Sequence, residues 1–142
     1  MNVRDVSRLL FVFALTLTCF AHAVLAPLSQ ESLDLQSTHM LTGYVYRVTD
    51  REVDVFGGKD SFYAATMIVH DSEKGGFVQN NIVKFTFKRV KTRVSGWAGP
   101  TGQSVVIKPH KTVRVWLNQD EHGNLSLLEP NGWQYADYAS KP

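Results

Sequence analysis

The chain of 142 residues contains one cysteine, Cys19, and that residue falls in a segment expected to be lost. Without it there is no disulfide, no thiol nucleophile and no zinc–thiolate site. The disulfide-framework folds that support many small exported domains are excluded with them. Acidic residues are missing between Glu73 and Asp120. Beyond residue 26 there is no sustained helical period, internal repeat or low-complexity tract. A formal net charge of +2 is too close to zero to nominate a partner. Catalytic signatures are lacking too: there is no Gly-x-Ser-x-Gly elbow, and no His-x-His or His-x-x-x-His pair.

What is present starts with a leader. Arg4 and Arg8 precede an almost unbroken apolar run from Leu9 to Phe20, and Ala21-His22-Ala23 supplies small residues at the cleavage positions. That layout predicts a secretory signal peptide over 1–23, cut after Ala23. A cut after Ala26 would leave Pro27 just beyond the scissile bond. Extended to Ala26, the apolar run from Leu9 is at the short edge of the roughly 20 residues that cross a bilayer, so an uncleaved anchor is the alternative and the one route to a membrane. Thr16-Leu17-Thr18 does not suit lipidation of Cys19. The expected location is secreted or periplasmic.

Residues 24–40 lack a clear period and read as a linker or loosely ordered arm, with room for a short helix near Glu31–Met40. The remainder, 41–142, reads as one domain. Alternation marks strands over Leu41–Val48 with a continuation at Val53–Phe56, over Ser61–His70, from Val83 to Val94 and over Thr112–Leu117. A shorter one covers Leu125–Leu128. The second carries apolar residues on both faces, which suits a central or curved strand. The third slips at Arg89-Val90, the mark of a bulge. Asp120-Glu121-His122-Gly123-Asn124 reads as a tight turn, and Trp133–Tyr138 as an aromatic tail that packs back. An all-β domain follows: a five-stranded barrel of the OB type, with a β-sandwich as the alternative.

The succession Lys74-Gly75, Ile82-Val83-Lys84-Phe85, Gly99 to Gly102 and Thr112-Val113-Arg114-Val115-Trp116-Leu117 resembles secreted OB-fold domains, netrin-like modules among them, over roughly residues 41–133. Inhibition by netrin-like modules relies on an N-terminal cysteine and a disulfide scaffold. This chain offers neither once the leader is gone, so that activity is not implied.

Nine basic residues fill the interval without acids: Lys74, Lys84, Lys88, Arg89, Lys91, Arg93, Lys108, Lys111 and Arg114. Segregation of this kind points to an anionic partner, unless it is a solvated strand face. Lys84, Lys88 and Arg114 at outward strand positions, joined by Arg89, Trp97 and Trp116, form the candidate ligand-binding surface. Cations would track charge and flat rings would stack. Outside the cytoplasm an anionic glycan or an acidic protein is the expected partner, and nucleic acid is not.

His39, His70, His110 and His122 have no ligand spacing, so no metal or cofactor is expected. The run Gly99-Pro100-Thr101-Gly102-Gln103-Ser104 lacks the lysine and following helix of a phosphate loop and reads as a turn. No catalytic residue is nominated. The expected function is a non-enzymatic binding module. The alternatives are an assembly subunit of an envelope complex and, more weakly, a small hydrolase.

Overall fold

The computed structural model describes residues 26–97 and 99–137; the predicted leader and Cys19 lie outside them. A short helix, α1 (Gln30–Gln36), precedes six strands: β1 (His39–Val55), β2 (Gly58–Lys74), β3 (Ile82–Arg93), β4 (Lys111–Gln119), β5 (Leu125–Leu127) and β6 (Trp133–Tyr135). They form one mixed sheet in the order β1-β2-β3-β5-β4-β6, and β1 also pairs with β4. Five strands are thus hydrogen-bonded in a ring, and β6 follows β5 along the edge of β4 that β1 leaves free.

Ring formation depends on β1, which serves β2 along one edge and β4 along the other. Three register irregularities, between Met40 and Leu41, Thr42 and Gly43, and Val45 and Arg47, bend it for both tasks. Gly43 sits in the bend. A β-carbon there would lie 2.3 Å from the Ile68 carbonyl oxygen, so the two strands approach only where a side chain is absent. The expected bulge of β3 is found at Lys91, skipped between the pairs Thr92–Lys59 and Val90–Asp60. The two-residue turn Phe56-Gly57 closes the β1–β2 hairpin, Gly57 taking a φ of 78°.

Period-two alternation fills the ring. Leu41 and Val45 from β1, Met67 and Val69 from β2, Phe85 and Phe87 from β3, and Val113, Val115 and Leu117 from β4 are all buried. At the β4–β5 turn Asp120 accepts from the backbone N–H groups of His122 and Asn124 and from Asn124 Nδ2. Those bonds, led by the Asn124 side chain, hold its carboxyl below the usual range.

The stretch 24–40 is packed where it is described. Ser29 caps α1 by accepting from the Ser32 N–H, and Leu33 faces a second apolar cluster with Met40, Trp116 and Leu128. Leu28 is pinned from both sides: its N–H donates to Asn131 Oδ1 at 2.8 Å, and Asn131 Nδ2 donates to its carbonyl at 3.0 Å. Lys74 Nζ donates to the carbonyls of Asp34 and Ser37 at the end of α1, the helix terminus that favours a cation. The compact unit therefore begins before residue 41. Of the tail, Trp133–Tyr135 adds a strand, and residues from 138 on lie outside the described residues.

Candidate functional site: a trough across four strands

Directly paired residues of neighbouring strands project from the same face of a sheet. On the outer face of the ring this builds two rungs. In the first, Arg51 of β1 is opposite Phe62 of β2, and Phe62 is opposite Lys88 of β3. In the second, Thr49, Ala64, Thr86 and Ser126 follow one another across β1, β2, β3 and β5. The small side chains of the second rung leave a floor beside the tall ones of the first. The result is an open cleft of about 730 Å³, completed on the far side by Asn118, Leu128 and Glu129.

Phe62 stands in this trough with 40% of its surface exposed. At a strand spacing of about 4.8 Å, the backbones of Arg51 and Lys88 are about 10 Å apart with the ring between them. Among the described residues neither cation has an ion-pair partner. Beneath them Tyr63 and Phe87 stack with centroids 4.8 Å apart and planes 6° from parallel, which stiffens the wall. Chemically, the trough offers a flat apolar ring with a cation on either side over a floor of hydroxyls.

The six residues nominated from the sequence do not assemble into one surface. Lys84 and Lys88 share the outer face of β3, but only Lys88 lines the trough. Arg89 projects to the opposite face, into a smaller cleft of about 300 Å³ with Asp50, Ser61 and Lys91. Trp97 lies beyond the end of β3, 48% exposed, with the Arg93 guanidinium 5.1 Å from its ring centre. Arg114 belongs to β4, which is not a neighbour of β3, because β5 lies between them. Trp116 faces away from the main core as expected, yet it is 1% exposed. Helix α1 covers it, and it is closed to a ligand.

Segregation of charge along the chain is also undone by folding. Arg114 bonds Glu73 at 2.6 Å, Arg93 bonds Asp60, and Lys91 bonds Glu52. The antiparallel β1–β2–β3 arrangement lays the acidic segment against the basic one. Among the predicted basic positions on β3, Lys84, Lys88 and Arg89 remain without an ion pair among the described residues.

The glycine-rich run has a structural task beside the trough. β3 and β5 meet at one pair, Thr86–Ser126, and the loop spans the gap. Gly102, at φ 71°, bridges to Arg89, and the Gln103 N–H donates to the Lys88 carbonyl at 2.7 Å. The buried Gln103 side chain then reaches across, donating from Nε2 to the Leu128 carbonyl at 2.6 Å. A β-carbon on Gly102 would lie 2.1 Å from the Lys88 oxygen, so the seam requires glycine.

Sequence reasoning missed Arg51 and Phe62. Arg51 reads as part of a turn, and Phe62 as one of many apolar residues on a strand buried on both faces. The signal was the hairpin itself. A two-residue turn at Phe56-Gly57 pairs Val55 with Gly58 and, four residues further along each strand, Arg51 with Phe62.

Among the described residues no three His, Cys, Asp or Glu side chains are grouped to hold a metal. No helix among them is long and apolar enough to cross a membrane. The chain matches no protein-family model, no curated protein and no solved structure.

Proposed function

We propose that the chain is an exported binding module, an OB-like five-stranded barrel that takes an anionic ligand along the trough. The observation that carries this reading is the rung Arg51–Phe62–Lys88 beside the low rung Thr49–Ala64–Thr86–Ser126. An extended ligand lying across the strands would rest a flat or apolar group on Phe62 and meet a cation on each side. Hydroxyls of the floor would accept or donate to its polar edge. The strand order, in which β1 joins β4 and β3 runs parallel to β5, supports the OB reading over a sandwich, because it links five strands into one ring and not into two separate sheets. OB barrels bind through the face around strands 2 and 3, where the trough lies. An anionic glycan or an acidic protein fits these contacts.

Retention of the purified protein on immobilised heparin, eluted with rising salt, tests the reading. Charge-driven retention weakens as salt screens it. The expected result is earlier elution of Arg51→Glu/Lys88→Glu and of Phe62→Ala, while Lys84→Glu shifts elution less. Equal elution of all four proteins would remove the trough from consideration.

One observation favours a second reading, an assembly subunit. Phe56 is fully exposed at the hairpin tip, at 104%, where Val94 stands over Gly57. An aromatic side chain so placed suits insertion into a partner. Loss of one fixed partner from a pull-down by Phe56→Ser, with heparin retention unchanged, would move the function from the trough to the tip.

A further inference from the structure

The smaller cleft, of about 300 Å³, lies on the opposite side of the sheet from the Arg51–Phe62–Lys88 rung. We infer that it binds a small zwitterion, a free amino acid or dipeptide, with Arg89 taking the carboxylate and Asp50 the ammonium. The inference does not depend on the trough.

Register places these groups together at the mouth of the ring. Val48, Ala65 and Phe85 are paired in one row across β1, β2 and β3, and Ala65 and Phe85 belong to the core. Two residues further along each strand, and so on the same face, come Asp50, Tyr63 and Phe87. Two further still come Glu52, Ser61 and Arg89. No register shift falls among these pairs, so all three rows face one way. The first row and the Tyr63–Phe87 stack fill the interior. The charged row lies beyond them, where the interior opens to solvent.

Within the cleft, Glu52 and Lys91 are paired with each other. Asp50 and Arg89 are not so occupied: among the described residues neither side chain has an ion pair or a hydrogen bond. With β2 between their strands, their backbones are at least about 10 Å apart. Opposite charges therefore face one cleft across a gap that a ligand carrying both would close.

Ser61 distinguishes a ligand site from a solvated surface. It stands between Glu52 and Arg89 and lines the cleft, yet it is only 4% exposed. Its hydroxyl has no hydrogen-bond partner among the described residues. A buried hydroxyl left unpaired is costly, and a carboxylate held by Arg89 would accept from it. Guanidinium and hydroxyl together then bind one carboxylate through charge-assisted bonds. At the other end, the ammonium would meet Asp50 and the Tyr63 side chain opposite it.

Charge and size narrow the ligand. Two cations and two carboxylates line the cleft, so it exerts no net pull on an ion of one sign. Its volume is at the lower end of small-ligand sites, about 300–1,000 Å³, which suits a molecule of one or two residues.

Saturation-transfer NMR titrations of the purified protein with L-alanine and L-alanyl-L-alanine test the site. N-acetyl-L-alanine and L-alaninamide, which each lack one charge, are the controls. One or both zwitterions should bind about tenfold or more tightly than either control, because each control forfeits a charge-assisted contact. Asp50→Asn and Arg89→Gln should each remove that preference. Both side chains are exposed, so the two variants should melt as the parent does. Phe62→Ala should bind the zwitterions unchanged. No transfer to either zwitterion, or equal binding of the singly charged controls by the parent protein, overturns the proposal without recourse to any variant.

Discussion

The indole Nε1 of Trp116 donates to Asp34 Oδ1 at 2.7 Å, joining β4 to α1 and hiding the most buried tryptophan of the described chain. That bond is the leading reason the Asp34 carboxyl is held below the usual aspartate value, with Gln30, Arg114 and Lys74 acting in the same direction. A lowered folded value means the stabilisation is complete above the ordinary aspartate pKa of about 4 and is lost as pH falls through the folded value. Asp34→Ala should loosen α1 at neutral pH, read as increased acrylamide quenching of tryptophan fluorescence. Trp116→Ala also removes the filling of the second cluster and should cost about 3–5 kcal/mol in denaturant unfolding.

A second acid response is expected at higher pH. His39 is buried against Phe77, with ring centroids 5.4 Å apart. Burial first, and the Lys74 charge second, lower its pKa from 6.5. The unfolded chain then takes up a proton before the folded chain does. Stability is complete above about pH 6.5 and declines below it toward the lowered folded value. His39→Gln should flatten the melting temperature between pH 7 and pH 5, while the slope near pH 4, to which Asp34 and Asp120 both contribute, remains.

Two ion pairs made by adjacent residues of β2, Lys59 and Asp60, should differ in value. In Arg93–Asp60 both side chains are largely buried, whereas Lys59–Asp54 spans 3.6 Å in open solvent. Removing one partner of a buried pair strands the other charge. Asp60→Ala should therefore cost about 3–5 kcal/mol, and Asp54→Ala at most about 1 kcal/mol. Urea titrations of the two variants provide the comparison.

Glycines of the same loop region give a matched test of the seam. Gly96 and Gly102 both take positive φ, at 84° and 71°. A β-carbon on Gly96 would meet nothing within 4 Å, whereas on Gly102 it would collide with the Lys88 carbonyl. Gly96→Ala should cost about 1–2 kcal/mol from backbone strain alone. Gly102→Ala should cost visibly more, and it should also weaken heparin retention, because the same contact positions Lys88. Equal losses in stability would mean the seam adapts freely.

The strands were legible because β3 and β4 alternate cleanly, with Val83, Phe85 and Phe87 buried on one and Val113, Val115 and Leu117 on the other. Short-range pattern also located the β3 bulge to within one residue. Pairing between distant strands was not legible. Arg114 was read beside Lys84 and Lys88 because outward positions carry no label of their neighbour, and only the sheet order separates them. Trp116 looked exposed because alternation describes one core, and α1 supplies a second.

Closure of the ring joins His39–Val45 to Lys111–Leu117, segments with most of the domain between them. Bringing such distant stretches together costs loop entropy before any contact compensates for it. No cysteine lies within residues 24–142 to shorten the path by cross-linking. Assembly of this domain should therefore be slow for its size, in the millisecond-to-second range of non-local β topologies, and indifferent to the redox potential of the compartment in which it occurs.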